Sequence, residues 1–206
     1  MDATSEAALV DIAEHRVTLT ENRRSDPALF GAYSSLVGGG ALNATPLSEC
    51  LAQLKQRFPR TTGHARWNLV MSHLRRVKLN TDLNWRESAG REAIVVPGRE
   101  PMLVWPGLLL IGCATSGPVR NSCFYEVLAA DPERVTIATE EGEAELTHAA
   151  TSRLLRLSYA LTYASCQGLT LKERVRLWDV NSKHFTRTHL FVALSRATAA
   201  SLVEIV

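Results

Sequence analysis

No glycine in these 206 residues is followed by lysine, and this absence excludes more than any other. A G-x-x-x-x-G-K-[ST] loop cradles nucleotide phosphates and helps to hold their magnesium, so the chain carries no such cradle of its own. An acidic pair closing an apolar strand, the usual companion of that loop, is missing as well. Gly38-Gly39-Gly40 lacks the lysine and follows a helical stretch, so it reads as a turn. No apolar run approaches the ~20 residues of a membrane helix, and Met1-Asp-Ala-Thr-Ser-Glu6 has neither the basic nor the apolar region of a signal peptide. The four cysteines, Cys50, Cys113, Cys123 and Cys166, form no C-x-x-C pair, which predicts reduced thiols in an intracellular protein without distinguishing cytoplasm, nucleus or virion. The six histidines show no H-x-x-x-H spacing, so no metal site is expected. Neither sign of charge dominates: the formal net charge is +2, which says little about partners.

The composition is that of a folded protein, 46% hydrophobic and 21% charged, long enough for one domain with an insertion. Residues 1–18 predict a short helix leading into an apolar Val17–Thr20. Asp26 and Pro27 have the residue types of an N-cap and a first helical position, with apolar residues following at helical spacing to Val37. A second helix is predicted over Pro46–Arg57, a strand over Trp67–Ser72 and a helix over His73–Trp85. Short β-runs then follow at Ile94–Val96, Leu108–Ile111, Cys123–Leu128, Val135–Ala138 and Glu145–Thr147, separated by Pro, Gly and Asp-Pro turns. The α/β pattern resumes with a strand over Leu154–Thr162, a strand over Val175–Val180, a helix near Thr186–Ala197 and a last strand over Ser201–Val206.

Three patches carry a more specific signal. They are Leu19-Thr-Glu-Asn-Arg-Arg-Ser25, Tyr159 to Leu171 with Gln167-Gly168-Leu169-Thr170 at its heart, and Phe191-Val-Ala-Leu-Ser-Arg196. In this order they resemble motifs of the second RecA-like domain of superfamily 1 helicases of the Pif1/RecD/UvrD-like kind. The resemblance spans the whole chain and implies an α/β fold. A mostly parallel, P-loop NTPase-like sheet would be flanked by helices and carry a small β-barrel-like insertion. Residues 1–92 and 151–206 would form the body, and residues 93–150 the insertion.

The resemblance also implies roles. Arg24 and Arg196 match the arginines that reach the terminal phosphate of ATP, a task suited to a permanently charged, forked guanidinium. Gln167 and Gly168 would line the nucleotide cleft, while Thr162, Ser165 and Thr170 would line a single-strand track. Two departures stand out: Arg23 fills the family's aromatic position, and Ala164-Ser165-Cys166 stands where His-Lys-Ser is common. The second departure removes a cation and an imidazole from the track. Residues 55–99 hold ten Lys and Arg against three acids, with Trp67 and Trp85 among them. Such a mixture forms either a single-strand track, for which Arg75, Arg76 and Lys78 are the candidates, or a solvated helix face over buried tryptophans. Arg75, Lys78 and Asp82 share one helical stripe, so local pairing is also expected.

Without a phosphate cradle the chain is expected to have no ATPase or helicase activity alone. ATP and magnesium would enter only if shared with a P-loop ATPase or helicase subunit. The alternative is a catalytically inactive remnant serving as a nucleic-acid-binding or structural protein, for example in a viral or mobile-element assembly. Start and finish fit a separate chain and a fragment equally.

Overall fold

The computed structural model describes residues 22–206. The predicted helix over 1–18, and the Leu19–Glu21 part of the first motif, lie outside the described residues. Two helices come first, α1 (Pro27–Ser34) and α2 (Leu47–Arg57). Asp26 caps α1 by accepting from the Leu29 amide at 2.7 Å, with Pro27 at the first helical position. The helix stops at Ser34, earlier than the apolar spacing predicts, because Ser35 caps it and the chain turns toward Gly38. β1 (Trp67–Val70) then leads into α3 (His73–Glu87), capped by Ser72.

The body is a parallel four-stranded sheet in the order β9 (Ala160–Thr162), β1, β10 (Val175–Leu177), β11 (Val203–Ile205). Successive strand residues point to opposite faces. Trp67, Leu69, Leu161, Val175, Leu177, Val203 and Ile205 therefore share one face, in a core with α1, α2 and α5 (Arg187–Leu194). The register puts a different row on the other face: Ala160, Asn68, Arg176 and Glu204 lie side by side across the four strands. Three of these four are polar and buried. Arg176 answers Glu204 with Nε donating at 2.6 Å, and its Nη2 donates to the carbonyls of Gly63 and Thr61 at 3.0 and 3.4 Å.

α3 covers the β9 side of that second face with polar residues spaced four apart: Arg76, Asn80 and Asn84 are its buried positions. Asn80 Nδ2 donates to the carbonyls of Leu157 and Ala160, and its Oδ1 accepts from the Ala160 amide at 2.7 Å. Asn84 grips Leu103 in the same double way. Arg76 forks onto Glu100 at 2.9 and 2.5 Å. One helix face thus fastens the insertion to the body through directed bonds.

The insertion departs from the barrel-like expectation. β2 (Ile94–Val96) and β3 (Met102–Val104) form a separate antiparallel ladder. The remainder is an open five-stranded sheet in the order β7 (Gly142–Thr147), β6 (Arg134–Thr139), β5 (Phe124–Ala130), β4 (Leu109–Gly112), β8 (Leu155–Leu157). Among the described residues no ladder joins β7 to β8, so no barrel closes. The edge strand β8 has only three residues before the chain runs on into β9 of the body. The predicted continuous strand over Leu154–Thr162 is therefore two strands serving different sheets. A short helix before it, α4 (His148–Leu154, capped by Thr147), completes the insertion's own core with Leu154.

Candidate functional site

The residue that follows the first motif, Asp26, ties it to the segment that follows the third. Its amide donates to the Thr198 carbonyl at 3.0 Å, and its Oδ2 accepts from the Ala200 amide at 2.8 Å while Oδ1 caps α1. Asn22 closes a tight turn by accepting from the Arg24 amide at 3.0 Å and donates to the Tyr33 hydroxyl at 3.1 Å. Tyr33 in turn packs edge-on against Phe191 of α5, with ring centroids 5.8 Å apart. These ties bring Arg24 near enough to Arg196, just past α5, for its charge to act on Arg196.

Arg196 sits in an unusual electrostatic setting. Its guanidinium hydrogen-bonds Ser195 Oγ, its neighbour in the chain, at 3.0 and 3.3 Å. Among the described residues no carboxylate pairs with Arg196 or with Arg24. Burial first, and then the charge of Arg24, hold the Arg196 pKa below the ordinary arginine value, with Cys166 and Tyr33 opposing. Two guanidiniums this near, with no acid paired to either among the described residues, are a donor set suited to a phosphate. The same set offers no oxygen ligand for magnesium, which would have to be held elsewhere.

The second motif joins this pair through its backbone. The Leu171 amide donates to the Arg196 carbonyl at 2.8 Å, and Leu171 bridges to Ala197 in parallel. Gln167, Gly168 and Thr170 are all exposed on the loop leading to that bond. Gly168 has φ +85°, the left-handed region that favours glycine, and open space where a Cβ would lie.

Other candidate residues are placed differently. Thr162 and Ser165 bond mutually: Ser165 Oγ accepts from the Thr162 amide at 3.0 Å, and the Ser165 amide donates to Thr162 Oγ1 at 3.2 Å. Their hydroxyls hold the turn after β9, and Thr162 is buried. Arg76 is a correction. It is buried and committed to Glu100, which removes it from any exposed track. Arg75 does not follow the expected stripe pairing, because Asp179 takes it at 3.2 Å and its guanidinium lies 5.2 Å from the centre of the Trp178 ring. Lys78 is exposed on α3 beside Leu74 and Trp85, which are 83% and 66% exposed. Trp67 is in the core, so the tryptophans of the basic segment are divided between the two readings. Cys166 lies buried in the turn after β9, and burial pushes its thiol up to about 12.

Sequence reasoning passed over Asp179, which sits past β10 at the carboxyl edge of the parallel sheet. It holds φ +60°, accepts from the Met71 amide at 3.1 Å through Oδ2 and pairs with Arg75 through Oδ1. A carboxylate that ties two strand ends and a helix start in a left-handed conformation has no motif spacing to betray it. Among the described residues no group of three His, Cys, Asp or Glu side chains is arranged to hold a metal, and no helix is long and apolar enough to cross a membrane.

Comparison of the whole fold with solved structures gives a consistent result. The chain is similar to a Pif1 helicase solved for DNA unwinding at forked duplex DNA by two coordinating copies. TM-score is 0.63 at 16% identity, covering 100% of this chain and 56% of that one. A Bacteroides Pif1 in complex with ADP-AlF3 and single-stranded DNA gives TM-score 0.60 at 16% identity over 93% of this chain and 52% of that one. Pif1 from Candida albicans gives 0.61 at 14% identity, over 92% and 56% respectively. The chain therefore has the fold of part of a Pif1 helicase and spans just over half the length of the structures it matches. No protein-family model matches the sequence, and no curated protein does.

Proposed function

We propose that this chain is a helicase C-terminal-like domain acting as an accessory or split subunit. It would supply Arg24 and Arg196 to a nucleotide held by a P-loop ATPase or helicase partner. One observation carries the reading: Arg196 lies within reach of the charge of Arg24 from a separate motif, and no carboxylate pairs with either among the described residues. ATP would be shared across the joint, with magnesium on the partner's side, since the donors here suit phosphate alone. Single-stranded nucleic acid would run past the Gln167–Thr170 loop toward Arg75 and Lys78. That a Pif1 of similar fold was solved with ssDNA supports nucleic-acid binding. Free cysteines, two of them exposed, fit an intracellular setting.

An arginine that neutralises charge on a transferring phosphoryl group contributes 10³–10⁵ in rate. In the assembled complex Arg196→Ala is expected to lower ATP turnover by about a hundredfold or more. Unchanged turnover would remove the role.

The second reading is an inactive remnant kept as a nucleic-acid-binding or structural protein, in a viral or mobile-element assembly for instance. Ala164 and Ser165 favour it, because the turn after β9 has lost its cation and imidazole and uses its remaining hydroxyls internally. Salt separates binding from scaffolding: a single-strand track loses affinity steeply as salt rises, whereas a scaffold shows little binding at any salt.

A further inference from the structure

The polar face of the parallel sheet opens into a cavity that the arginine pair does not use. Its volume is about 230 Å³, and it lies between α3 and the loop entering β1. Asn68, Arg176 and Trp178 line it from the sheet, and Arg60, His64 and Arg86 from the loop and helix. The sheet side is fully committed: Arg176 to Glu204, and Trp178 Nε1 to Asn68 Oδ1 at 2.9 Å. The mouth is different. Arg60, His64 and Arg86 are exposed, and among the described residues no carboxylate pairs with Arg60 or Arg86. Arg86 Nη1 instead lies 3.0 and 3.1 Å from the two His64 ring nitrogens, a cation turned toward another basic group. Asp82 is the single acid lining the cavity.

We infer that this cavity is a second phosphate-binding site, taking a backbone phosphate of a single nucleic-acid strand. The inference rests on the nucleic-acid reading above and extends its path. Three features favour a backbone phosphate. The guanidiniums of Arg60, Arg75 and Arg176 already lie 5.2–5.9 Å from the Trp178 ring centre, so that ring is not a free platform for a base. The cavity is smaller than the roughly 300 Å³ at which sites for whole small molecules begin, which suits one phosphate group. Finally, Trp178 joins the two regions, with Arg75 of the proposed track and Arg60 of the cavity both against it. A strand crossing the carboxyl edge of the sheet would meet Arg75 first, pass Trp178 and reach Arg60 and Arg86.

The test uses the full chain with a fluorescent oligothymidylate across a salt series, and in parallel inorganic phosphate with the His64 ring resonances as readout. Arg60 and Arg86 are exposed, so the double variant Arg60→Ala/Arg86→Ala keeps the fold, checked by circular dichroism. We expect it to bind the oligonucleotide about tenfold more weakly, with a salt slope shallower by about 0.7 per lost phosphate contact. Lys78→Ala should leave the His64 response to phosphate intact. If wild type binds the oligonucleotide and the double variant binds it equally, the cavity is not on the path and the inference falls. If wild type binds no oligonucleotide, the nucleic-acid reading fails and takes the strand assignment with it. In that case a His64 shift with inorganic phosphate, abolished in the double variant, would reassign the cavity to a free phosphate ligand.

Discussion

Asn80→Ala is the sharpest test of how the body holds its insertion. Asn80 is 2% exposed and makes three backbone hydrogen bonds at the point where β8 gives way to β9. Truncation strands the Ala160 amide, in a residue of 0% exposure, at a cost of about 1–3 kcal/mol for an unpaired buried donor. The carbonyls of Leu157 and Ala160 each lose one donor as well, and the missing amide group leaves a void. Together these place the loss near ~3 kcal/mol, a large share of the ~5–15 kcal/mol that holds an ordinary domain. Urea unfolding followed by circular dichroism measures it, with Lys78→Ala on the exposed face of the same helix as control, expected within about 0.5 kcal/mol of wild type. A loss under about 1 kcal/mol for Asn80→Ala would refute the reasoning. Asn80→Asp adds a check of sign. Its buried carboxyl would face two carbonyls, which raises the folded pKa above the unfolded value of about 3.9. The variant's deficit relative to wild type should therefore be smallest below about pH 4 and grow as pH rises from the unfolded value through the folded one.

Glu204→Ala should cost about 3–5 kcal/mol by leaving Arg176 buried and unpaired, while the double change Arg176→Met/Glu204→Leu recovers most of it in the same unfolding assay. Thiol titration of the native protein at pH 8 should find Cys123 reactive, Cys113 slower because partial burial raises its thiol pKa despite its exposed edge, and Cys50 and Cys166 silent until denaturant is added. Burial raises the Cys166 pKa to about 12, so its thiolate stays scarce until the pH climbs toward that value; rapid native labelling of all four would contradict the packing. Asp179→Ala should lose about 1–3 kcal/mol through left-handed strain and the lost Met71 bond, and Asp179→Asn, which tolerates that backbone, should lose less.

Much of the body was legible because its signals are local. Asp26-Pro27 marked the start of α1, Thr186 marked α5, and the two motif loops fell where the chain turns. The insertion was harder. β3 has only three residues and becomes a strand through its pairing with β2, and α4 has seven, too few for a helical period to show. Leu154–Thr162 reads as one apolar run, yet it divides between two sheets because the carbonyls at the break are claimed by Asn80, seventy-seven and eighty residues earlier. The candidate site divides in the same way. Arg24 and Arg196 are candidates by motif context and the fold leaves both without a carboxylate partner among the described residues, whereas Arg76 reads as a surface cation in sequence and forks onto Glu100 in the fold. The polar row of Asn68, Arg176 and Glu204 has no signature at all, since it exists only through strand register.

The central claim is that Arg24 and Arg196 form one phosphate site, and side-chain NMR of the arginine Nε–Hε groups tests it most directly. In the complex with its P-loop partner, ATP should shift both resonances together and saturably, and truncating either arginine to alanine should abolish the response of the other. Shifts that stay linear in ATP, or that persist at one arginine when its neighbour is removed, would contradict the account.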